Sequence, residues 1–168
     1  MGDYTHIIHP FEPLYNSQSK ILILGSLPSV KSREQGFFYG HPQNRYWKLM
    51  AALLKEAVPK TIEEKKSLIL SHNIAMWDAV YSCDIIMSED KTIKNAVTTD
   101  LLPIIQSSRI THIFCNGNTA GAYYARFQEK QLGIRAVTLP STSPANAAWS
   151  FERLTKAWSV ILPPLTGE

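Results

Sequence analysis

The stretch ILILGS, residues 21–26, is the part of the chain that decides the fold. Its four leading apolar residues form a run short enough for a buried strand, and the run ends at Gly25 in a polar loop. That loop closes with the cluster GFFYGHPQNRYW, residues 36–47. Because α/β sheets build their sites at the carboxyl ends of strands, we predict a pocket here, with aromatic rings that hold a flat ligand. Its polar groups are expected from three side chains: Ser26, His41 and Asn44.

The rest of the chain alternates between helix-like and strand-like segments. Apolar spacing and helix-start signals predict helices over residues 45–54, 62–70, 98–107, 119–130 and 145–162, with Pro103 interrupting the third. Apolar runs predict further strands over residues 73–77, 110–115 and 134–139. Four strands separated by helices predict an α/β fold of three αβα layers around a central four-stranded, mainly parallel sheet with right-handed crossovers.

Length and composition indicate one domain spanning residues 1–168, since 168 residues that are 45% hydrophobic suffice for one sizeable core. Residues 1–19 are expected to form a surface arm and residues 163–168 a frayed tail. The net charge of +3 is compatible with a nucleic-acid partner. No basic N-terminal region precedes an apolar segment, and no apolar run is long enough to span a membrane, so we expect an intracellular, cytoplasmic protein.

The chain also lacks several kinds of site. Cys83 and Cys115 are the two cysteines and neither lies in a CxxC motif, which argues against a disulfide framework and a four-cysteine metal centre. The sequence contains no GxGxxG, GxxxxGK[ST] or HExxH motif. A nucleoside triphosphate or a dinucleotide therefore loses its usual support as a ligand, and we predict no metal site.

Four loops follow the predicted strands, at residues 26–44, 78–95, 116–118 and 141–146. In a parallel sheet these loops meet at one edge. They are rich in amides, hydroxyls and aromatic rings and hold few charges. Such a lining suits a neutral, planar, hydrogen-bonding ligand such as a nucleobase better than a phosphate or a metal ion.

Three motifs carry a resemblance to a known family. GSLPS at residues 25–29, GFFYGHPQNRYW at 36–47 and LPSTSPAN at 139–146 resemble motifs of the uracil-DNA glycosylase superfamily, and most of all its hypoxanthine-DNA (deoxyinosine) glycosylase branch. The resemblance implies a monofunctional, monomeric enzyme that needs no cofactor. Its partner would be DNA containing a deaminated base, first of all hypoxanthine, which the enzyme flips out and releases by hydrolysing the N-glycosidic bond, leaving an abasic site.

The same resemblance implies two catalytic residues. Related branches carry Asp or Asn two residues after the first glycine to position a water, but Leu27 stands there in this chain. In the hypoxanthine branch the catalytic amide lies in the HPxN cluster and maps onto Asn44. The second catalytic position, where the family has His or Asn, is occupied by Ser141, a weaker partner for a developing oxyanion. This difference is consistent with a purine rather than uracil as the substrate.

The remaining implied contacts divide between base and DNA. Tyr39 aligns with the family's stacking aromatic. Further contacts to the base are expected from Ser26, Leu27, His41 and Asn116. Contacts to the DNA strand and its minor groove are expected from Pro28, Ser29, Lys31, Ser143, Pro144, Ala145 and Asn146. Because Ala145 is small where relatives insert a bulky wedge, flipping would depend on a weakened base pair.

Alternatives remain for the role of Asn44 and for the function of the protein. Asn44 can equally cap the helix that follows it, a role compatible with catalysis. Within the enzyme hypothesis, uracil or a mismatched base is the alternative substrate. Two other functions compete with the DNA glycosylase hypothesis. One is a hydrolase or transferase that acts on a free nucleoside, and the other is a non-catalytic module that binds lesion DNA but releases no base.

Overall fold

The computed structural model describes residues 2–167. Across these residues, the strands are β1 (Thr5–Ile8), β2 (Ile21–Gly25), β3 (Ile74–Asp78), β4 (Val80–Ile85), β5 (Lys94–Thr98), β6 (His112–Asn116) and β7 (Ala136–Leu139). The α-helices are α1 (Val30–Gln35), α2 (Tyr46–Leu54), α3 (Ile62–Ser71), α4 (Leu102–Gln106), α5 (Asn118–Tyr123), α6 (Glu129–Leu132), α7 (Phe151–Trp158) and α8 (Leu162–Thr166).

The central sheet has four strands in the order β3-β2-β6-β7, and all neighbouring pairs are parallel. The predicted α/β class and the four-stranded parallel sheet are therefore confirmed. Every residue of β2 and β3 is buried, as the apolar runs predicted. Because the chain leaves β2 toward one neighbour and later returns to the other, the sheet has a topological switch point beside β2.

The register of the sheet aligns the strand ends. Gly25 at the end of β2 pairs with Asp78 at the end of β3, and Asn116 at the end of β6 pairs with Leu139 at the end of β7. The loops that leave these residues consequently start from one edge, as the sequence predicted. The hydrophobic core packs behind this edge and includes the fully buried rings of Tyr46, Tyr124 and Trp158. We therefore look for the functional site at the carboxyl edge of the parallel sheet.

A second sheet of three antiparallel strands, in the order β1-β4-β5, lies in segments that the sequence predicted as an arm and a loop. The prediction of a loop over residues 78–95 is wrong for β4 and the start of β5. The prediction of a surface arm over residues 1–19 is also wrong in part, since His9, Leu14 and Ser19 are buried. Leu14 exchanges two backbone hydrogen bonds with Met76 of β3, which ties the segment to the central sheet.

Several helix boundaries also differ from the prediction. The last long helix does not begin at Ala145 but at Phe151, where the Ser150 side chain accepts a hydrogen bond from the Arg153 amide. A short 3-10 turn joins α7 to α8, so the predicted frayed tail is helical as far as Thr166. The long helix predicted over residues 119–130 is divided by a π-helical stretch at Tyr124–Gln128. No helix within residues 2–167 is long and apolar enough to cross a membrane.

Candidate active site

A cavity of about 130 Å³ opens at the carboxyl edge of the central sheet. It is lined by the ends of β2, β3 and β6 and by the loops that follow them and β7. Six of the seven residues predicted to act on the base line it, among them Ser26, Leu27, Tyr39, Asn44 and Asn116. Ser141, predicted as catalytic, lines it as well. The structure therefore brings these predicted residues together at one cavity, at the place where the sheet reverses its strand order.

His41 is the predicted base-binding residue that the structure places outside the cavity lining. Its ring nitrogen Nδ1 accepts a hydrogen bond from the backbone N–H of Gln43 at 3.1 Å, and its backbone carbonyl accepts one from the backbone N–H of Asn44 at 2.9 Å. His41 thus shapes the turn before α2. The structure supports a local structural role for this side chain and gives no contact with the cavity.

The residues predicted to bind DNA fall into two groups. Pro28, Ser29 and Ser143 line the cavity, and the others lie outside its lining: Lys31, Pro144, Ala145 and Asn146. Ser29 caps α1 by accepting the Ser32 amide. The Lys31 ammonium lies 3.6 Å from a Glu34 carboxylate, and both side chains are exposed. Such an exposed ion pair is weak and would open readily for a phosphate.

Asn44 belongs to a hydrogen-bonded group that we call the amide wall, formed by Asn44, Asn116 and Thr142. The Asn44 Oδ1 atom accepts the Tyr46 backbone N–H at 2.9 Å and the Thr142 hydroxyl at 2.8 Å. Asn44 is not the N-cap that the sequence suggested, because α2 begins at Tyr46 and Arg45 is its N-cap; the Asn44 side chain nevertheless bonds the first backbone N–H of the helix. Because a backbone N–H can only donate, it fixes the orientation of the amide, with Oδ1 toward the helix.

Thr142 is fully buried and links the two amides of the wall. Its hydroxyl accepts a hydrogen bond from Asn116 Nδ2 at 3.0 Å, and its backbone N–H donates to Asn116 Oδ1 at 3.0 Å. Both ends of the Asn116 side chain are thereby engaged, so Asn116 supports the wall in addition to lining the cavity. Sequence analysis missed Thr142, whose only signal is its place between two motif serines.

Arg45 holds the loop after β7 against the start of α2. Its guanidinium donates to the Trp149 carbonyl and, at 3.1 Å each, to the carbonyls of Ser143 and Asn146. Its backbone N–H donates to the Thr142 carbonyl at 3.1 Å. One side chain thus satisfies three carbonyls of a segment that has no regular structure, which is why residues 145–150 do not form the helix predicted there. Arg45 was also missed as a functional candidate.

Two carboxylates face the cavity from the other side, and we call Asp78 and Asp90 the carboxylate wall. The Asp78 Oδ2 atom lies 2.6 Å from His9 Nε2 in a pair whose side chains are 0% and 4% exposed for His9 and Asp78. Asp90 accepts a hydrogen bond from the Ser26 hydroxyl at 3.1 Å. Although Asp90 is exposed as a residue, burial of its carboxyl group raises the pKa, and the negative charge of Asp78 adds to this effect.

Tyr39 lies between the two walls. Its ring stacks on Tyr46 with 4.3 Å between centroids, and its backbone has a positive φ of 50°. Burial raises the pKa of its hydroxyl, and the charge of Asp78 raises it further, so the hydroxyl stays protonated. The buried hydroxyl oxygen has no hydrogen-bond partner within residues 2–167. The predicted stacking aromatic is therefore also a buried, unused donor.

Two glycines make room for these side chains. A Cβ atom at Gly25 would lie 2.7 Å from the Tyr39 hydroxyl oxygen and would overlap the Asp78 Oδ1 atom. Gly117 has a positive φ of 97°, and a Cβ there would lie 3.2 Å from Ser141. Both glycines therefore permit close approaches at the cavity that any larger residue would disturb.

No cluster of three metal-ligating side chains occurs within residues 2–167. The polar side chains that line the cavity are amides, hydroxyls and two carboxylates. No lysine is among the residues that line the cavity. Such a site can orient a water molecule and accept a proton, but it offers no amine for a covalent Schiff base.

Comparisons with known proteins agree with this geometry. The family model described as uracil DNA glycosylase superfamily matches residues 12–162. A protein of Methanosarcina acetivorans named hypoxanthine DNA glycosylase is 31% identical over 153 residues, covering 90% of this chain and 95% of the relative. A protein of the same name from Methanosarcina barkeri is 28% identical over 143 residues, covering 81% and 86% of the two chains.

One solved structure is similar over almost its whole length. It is a solution NMR structure described as a putative uracil DNA glycosylase from Methanosarcina acetivorans. It is 28% identical in sequence, with a TM-score of 0.81 over 95% of this chain and 99% of that chain. The residues that the family model matches, 12–162, include the central sheet and the loops that line the cavity.

Proposed function

Because the chain belongs to the uracil DNA glycosylase superfamily, we propose that it is a DNA glycosylase that excises hypoxanthine and leaves an abasic site. The observation that carries this proposal is the amide wall, which fixes Asn44 at a cavity on the carboxyl edge of the sheet. The two Methanosarcina relatives named hypoxanthine DNA glycosylase support the choice of base. The absence of lysine from the lining supports hydrolysis without strand cleavage.

We assign Asn44 the task of holding the attacking water. Cleavage of an N-glycosidic bond passes through an oxocarbenium-like state, in which the water must sit close to the anomeric carbon. The two hydrogen bonds to Asn44 Oδ1 occupy both of its lone pairs, so the Nδ2 group is the part left to bind the water oxygen. Ser141 can donate a hydrogen bond to the departing base.

The proton of the water needs an acceptor, and Leu27 cannot supply one. We assign this task to Asp90, whose carboxylate is bound to the neighbouring Ser26 and lines the same cavity. A raised pKa brings a carboxylate closer to the working pH and makes it a better base. A carboxylate from a different loop would thus replace the one that the first motif lacks.

The flipped nucleotide also has to be held from the DNA side. We propose that the loop of Ser143, Pro144, Ala145 and Asn146 contacts the strand and that Arg45 keeps this loop in place. Pro28, Ser29 and Lys31 at the start of α1 would contact the phosphate backbone. We further propose that the protein acts as a monomer and as a single domain, without a cofactor.

The experiment that tests the proposal is a single-turnover incubation of excess protein with labelled duplexes that contain deoxyinosine, deoxyuridine or deoxyxanthosine, followed by alkaline cleavage. We expect deoxyinosine to be released fastest. Asn44→Ala should lower that rate by about a hundredfold or more, because the water loses its binding group.

Asn16→Ala is a matched control for Asn44→Ala. The Asn16 Oδ1 atom accepts the amide two residues later at 2.9 Å, as Asn44 Oδ1 does, but Asn16 is exposed and far from the cavity lining. Its removal should leave the excision rate unchanged. Binding of lesion DNA without any abasic product would instead support a non-catalytic module, and preferred release from deoxyuridine would support uracil as the substrate.

A further inference from the structure

His9 and Asp78 form a buried hydrogen-bonded pair that the proposed reaction does not use. Asp78 Oδ2 is held by His9 Nε2 at 2.6 Å, while Asp78 Oδ1 makes no hydrogen bond within residues 2–167. Because Asp78 lines the cavity, a ligand in the cavity is the partner that this second oxygen could bind. His9 precedes residues 12–162, the part of the chain that the family model matches.

A second unused group lies beside this oxygen. The Tyr39 hydroxyl is buried without a hydrogen-bond partner, and the Asn116 amide near it does not reach hydrogen-bonding geometry. The Tyr39 hydroxyl and Asp78 Oδ1 both approach the same point, the place where a Cβ atom at Gly25 would stand. An acceptor and a donor therefore lie side by side at the floor of the cavity.

This arrangement complements a lactam, in which an N–H group stands next to a carbonyl. Deamination of adenine produces this pattern: hypoxanthine carries an N1–H donor beside the O6 carbonyl, whereas adenine carries a bare N1 acceptor beside an amino group. A carboxylate that faces a bare ring nitrogen leaves two buried acceptors unpaired, which is strongly unfavourable. The floor of the cavity can therefore distinguish the damaged purine from the normal one.

We propose that His9 positions Asp78 so that Asp78 Oδ1 accepts the lactam N–H of the flipped base, next to the Tyr39 hydroxyl as donor to the carbonyl. The inference rests on the proposed function and names the residues that decide which base is accepted. Asp78 is then a specificity-determining residue that touches the base, and His9 is a positioning residue that acts through it. Xanthine and uracil carry the same lactam N–H, so this contact does not separate them from hypoxanthine.

His9 determines which end of the side-chain amide in Asp78→Asn, the oxygen or the NH₂ group, would face the base. His9 Nδ1 has no hydrogen-bond partner within residues 2–167, so a proton there would be a buried, unpaired donor. The tautomer with the proton on Nε2 avoids this penalty and donates to position 78. In Asp78→Asn, His9 should consequently donate to the amide oxygen and leave the NH₂ group directed toward the cavity. There the NH₂ group would face the N1–H donor of hypoxanthine without forming a hydrogen bond, but it could donate to a bare N1.

The experiment measures single-turnover excision from duplexes carrying deoxyinosine or deoxynebularine, a purine nucleoside with a bare N1 and no O6 group. Asp78→Asn should slow release from deoxyinosine by about tenfold or more and leave release from deoxynebularine unchanged or faster. The ratio of the two rates cancels any general loss of activity. In the double variant His9→Phe/Asp78→Asn the amide is free to turn its oxygen to the cavity, so part of the preference for deoxyinosine should return.

Asp84→Asn is the matched control, because Asp84 forms a similar pair with His6 at 2.8 Å, but on the exposed antiparallel sheet. It should leave both rates unchanged. Equal losses on both substrates in Asp78→Asn, or an unchanged ratio, would overturn the inference while the proposed function stands. Failure of the wild-type protein to release hypoxanthine would overturn both.

A test on the wild-type protein keeps the inference open to refutation if the Asp78 variant does not fold. A duplex carrying N1-methyl-deoxyinosine lacks the lactam N–H but keeps the O6 carbonyl. We expect its base to be released at least about tenfold more slowly than hypoxanthine, because the contact with the Asp78 oxygen is lost. Release at equal rates would refute the inference.

Discussion

The two walls of the cavity differ in how completely their polar atoms are paired. In the amide wall, Asn44 Oδ1 and both ends of the Asn116 side chain are hydrogen-bonded within the protein, through Thr142. In the carboxylate wall, one oxygen of Asp78 has no hydrogen-bond partner among the described residues 2–167, and neither does the adjacent Tyr39 hydroxyl. Paired groups hold a geometry, whereas unpaired buried groups need a ligand. In our proposals the amide wall accordingly positions the water, and the unpaired atoms beside Asp78 recognise the base, while Asp90 accepts the proton of the water.

Thr142→Val is the change that breaks the amide wall most directly. Valine has nearly the shape of threonine but lacks the hydroxyl that donates to Asn44 and accepts from Asn116. We expect the excision rate to fall by about ten- to a hundredfold, because removing the hydroxyl loses two buried hydrogen bonds, one with Asn44 and one with Asn116. Single-turnover rates on deoxyinosine duplexes measure this change.

Thr142→Ser is the control for that substitution, since it keeps the hydroxyl and removes only a methyl group. It should retain most of the activity. If Thr142→Val were as active as the wild type, Asn44 would not depend on its buried neighbour, and the contrast between the two walls would lose its physical basis.

Arg45→Lys tests the connection between the amide wall and the loop that faces DNA. A lysine keeps the charge but cannot bond the three carbonyls that the guanidinium joins, those of Ser143, Asn146 and Trp149. We expect weaker binding of lesion duplexes and a several-fold slower excision, with a lower melting temperature. Arg153→Lys is a suitable control, because Arg153 stacks on the Trp149 ring without bonding the loop carbonyls.

A loss confined to melting temperature in Arg45→Lys, with normal binding and excision, would show that the loop does not depend on this anchor for function. Fluorescence anisotropy on deoxyinosine duplexes separates binding from catalysis. The comparison with Arg153→Lys removes the general effect of replacing a guanidinium near the loop.

The sequence predicted the amide side of the molecule better than the carboxylate side, and the reason is physical. The central strands are continuous apolar runs, such as ILIL before Gly25, because both faces of a parallel sheet are covered. Strand β4 instead mixes exposed Tyr81 with buried Ser82 and Cys83, and an irregular register toward β5 disturbs the alternation. A pattern of period two was therefore not visible there.

The same limit applies to the site. Asn44 and Ser141 stand within motifs, so a resemblance could locate them. Asp90 lines the cavity and His9 contacts Asp78, which also lines it; His9 makes this contact 69 positions along the chain, and Asp90 bonds a residue 64 positions away. Nothing in the local sequence indicates such a pairing. The carboxylate wall is thus a product of tertiary structure, because Asp78 ends β3 of the central sheet, whereas Asp90 follows β4 of the antiparallel sheet that the sequence did not predict.

Asp90→Asn tests the carboxylate wall through pH and has the smallest expected effect on stability. If ionised Asp90 accepts the proton of the water, the excision rate should fall with decreasing pH around a pKa above the ordinary value for aspartate, since burial raises it. The asparagine variant should be slower at neutral pH and should lose this acid limb. Rates measured from acidic to neutral pH provide the check, with Asp84→Asn as the control.

The raised pKa of Asp90 predicts that the contribution of this carboxyl group to the stability of the protein, unlike the activity, decreases as the pH rises. A carboxyl group whose pKa is higher in the folded than in the unfolded protein binds more protons when folded, so its contribution to stability decreases as pH rises between the two values. Asp90→Asn removes this effect and should be at least as resistant to thermal unfolding at neutral pH as the wild type. Asp84 differs, because hydrogen bonds from Asn95 and His6 lower its pKa, so its replacement should not stabilise the protein. A variant at Asp90 that lost both activity and stability would indicate a structural carboxylate rather than a proton acceptor.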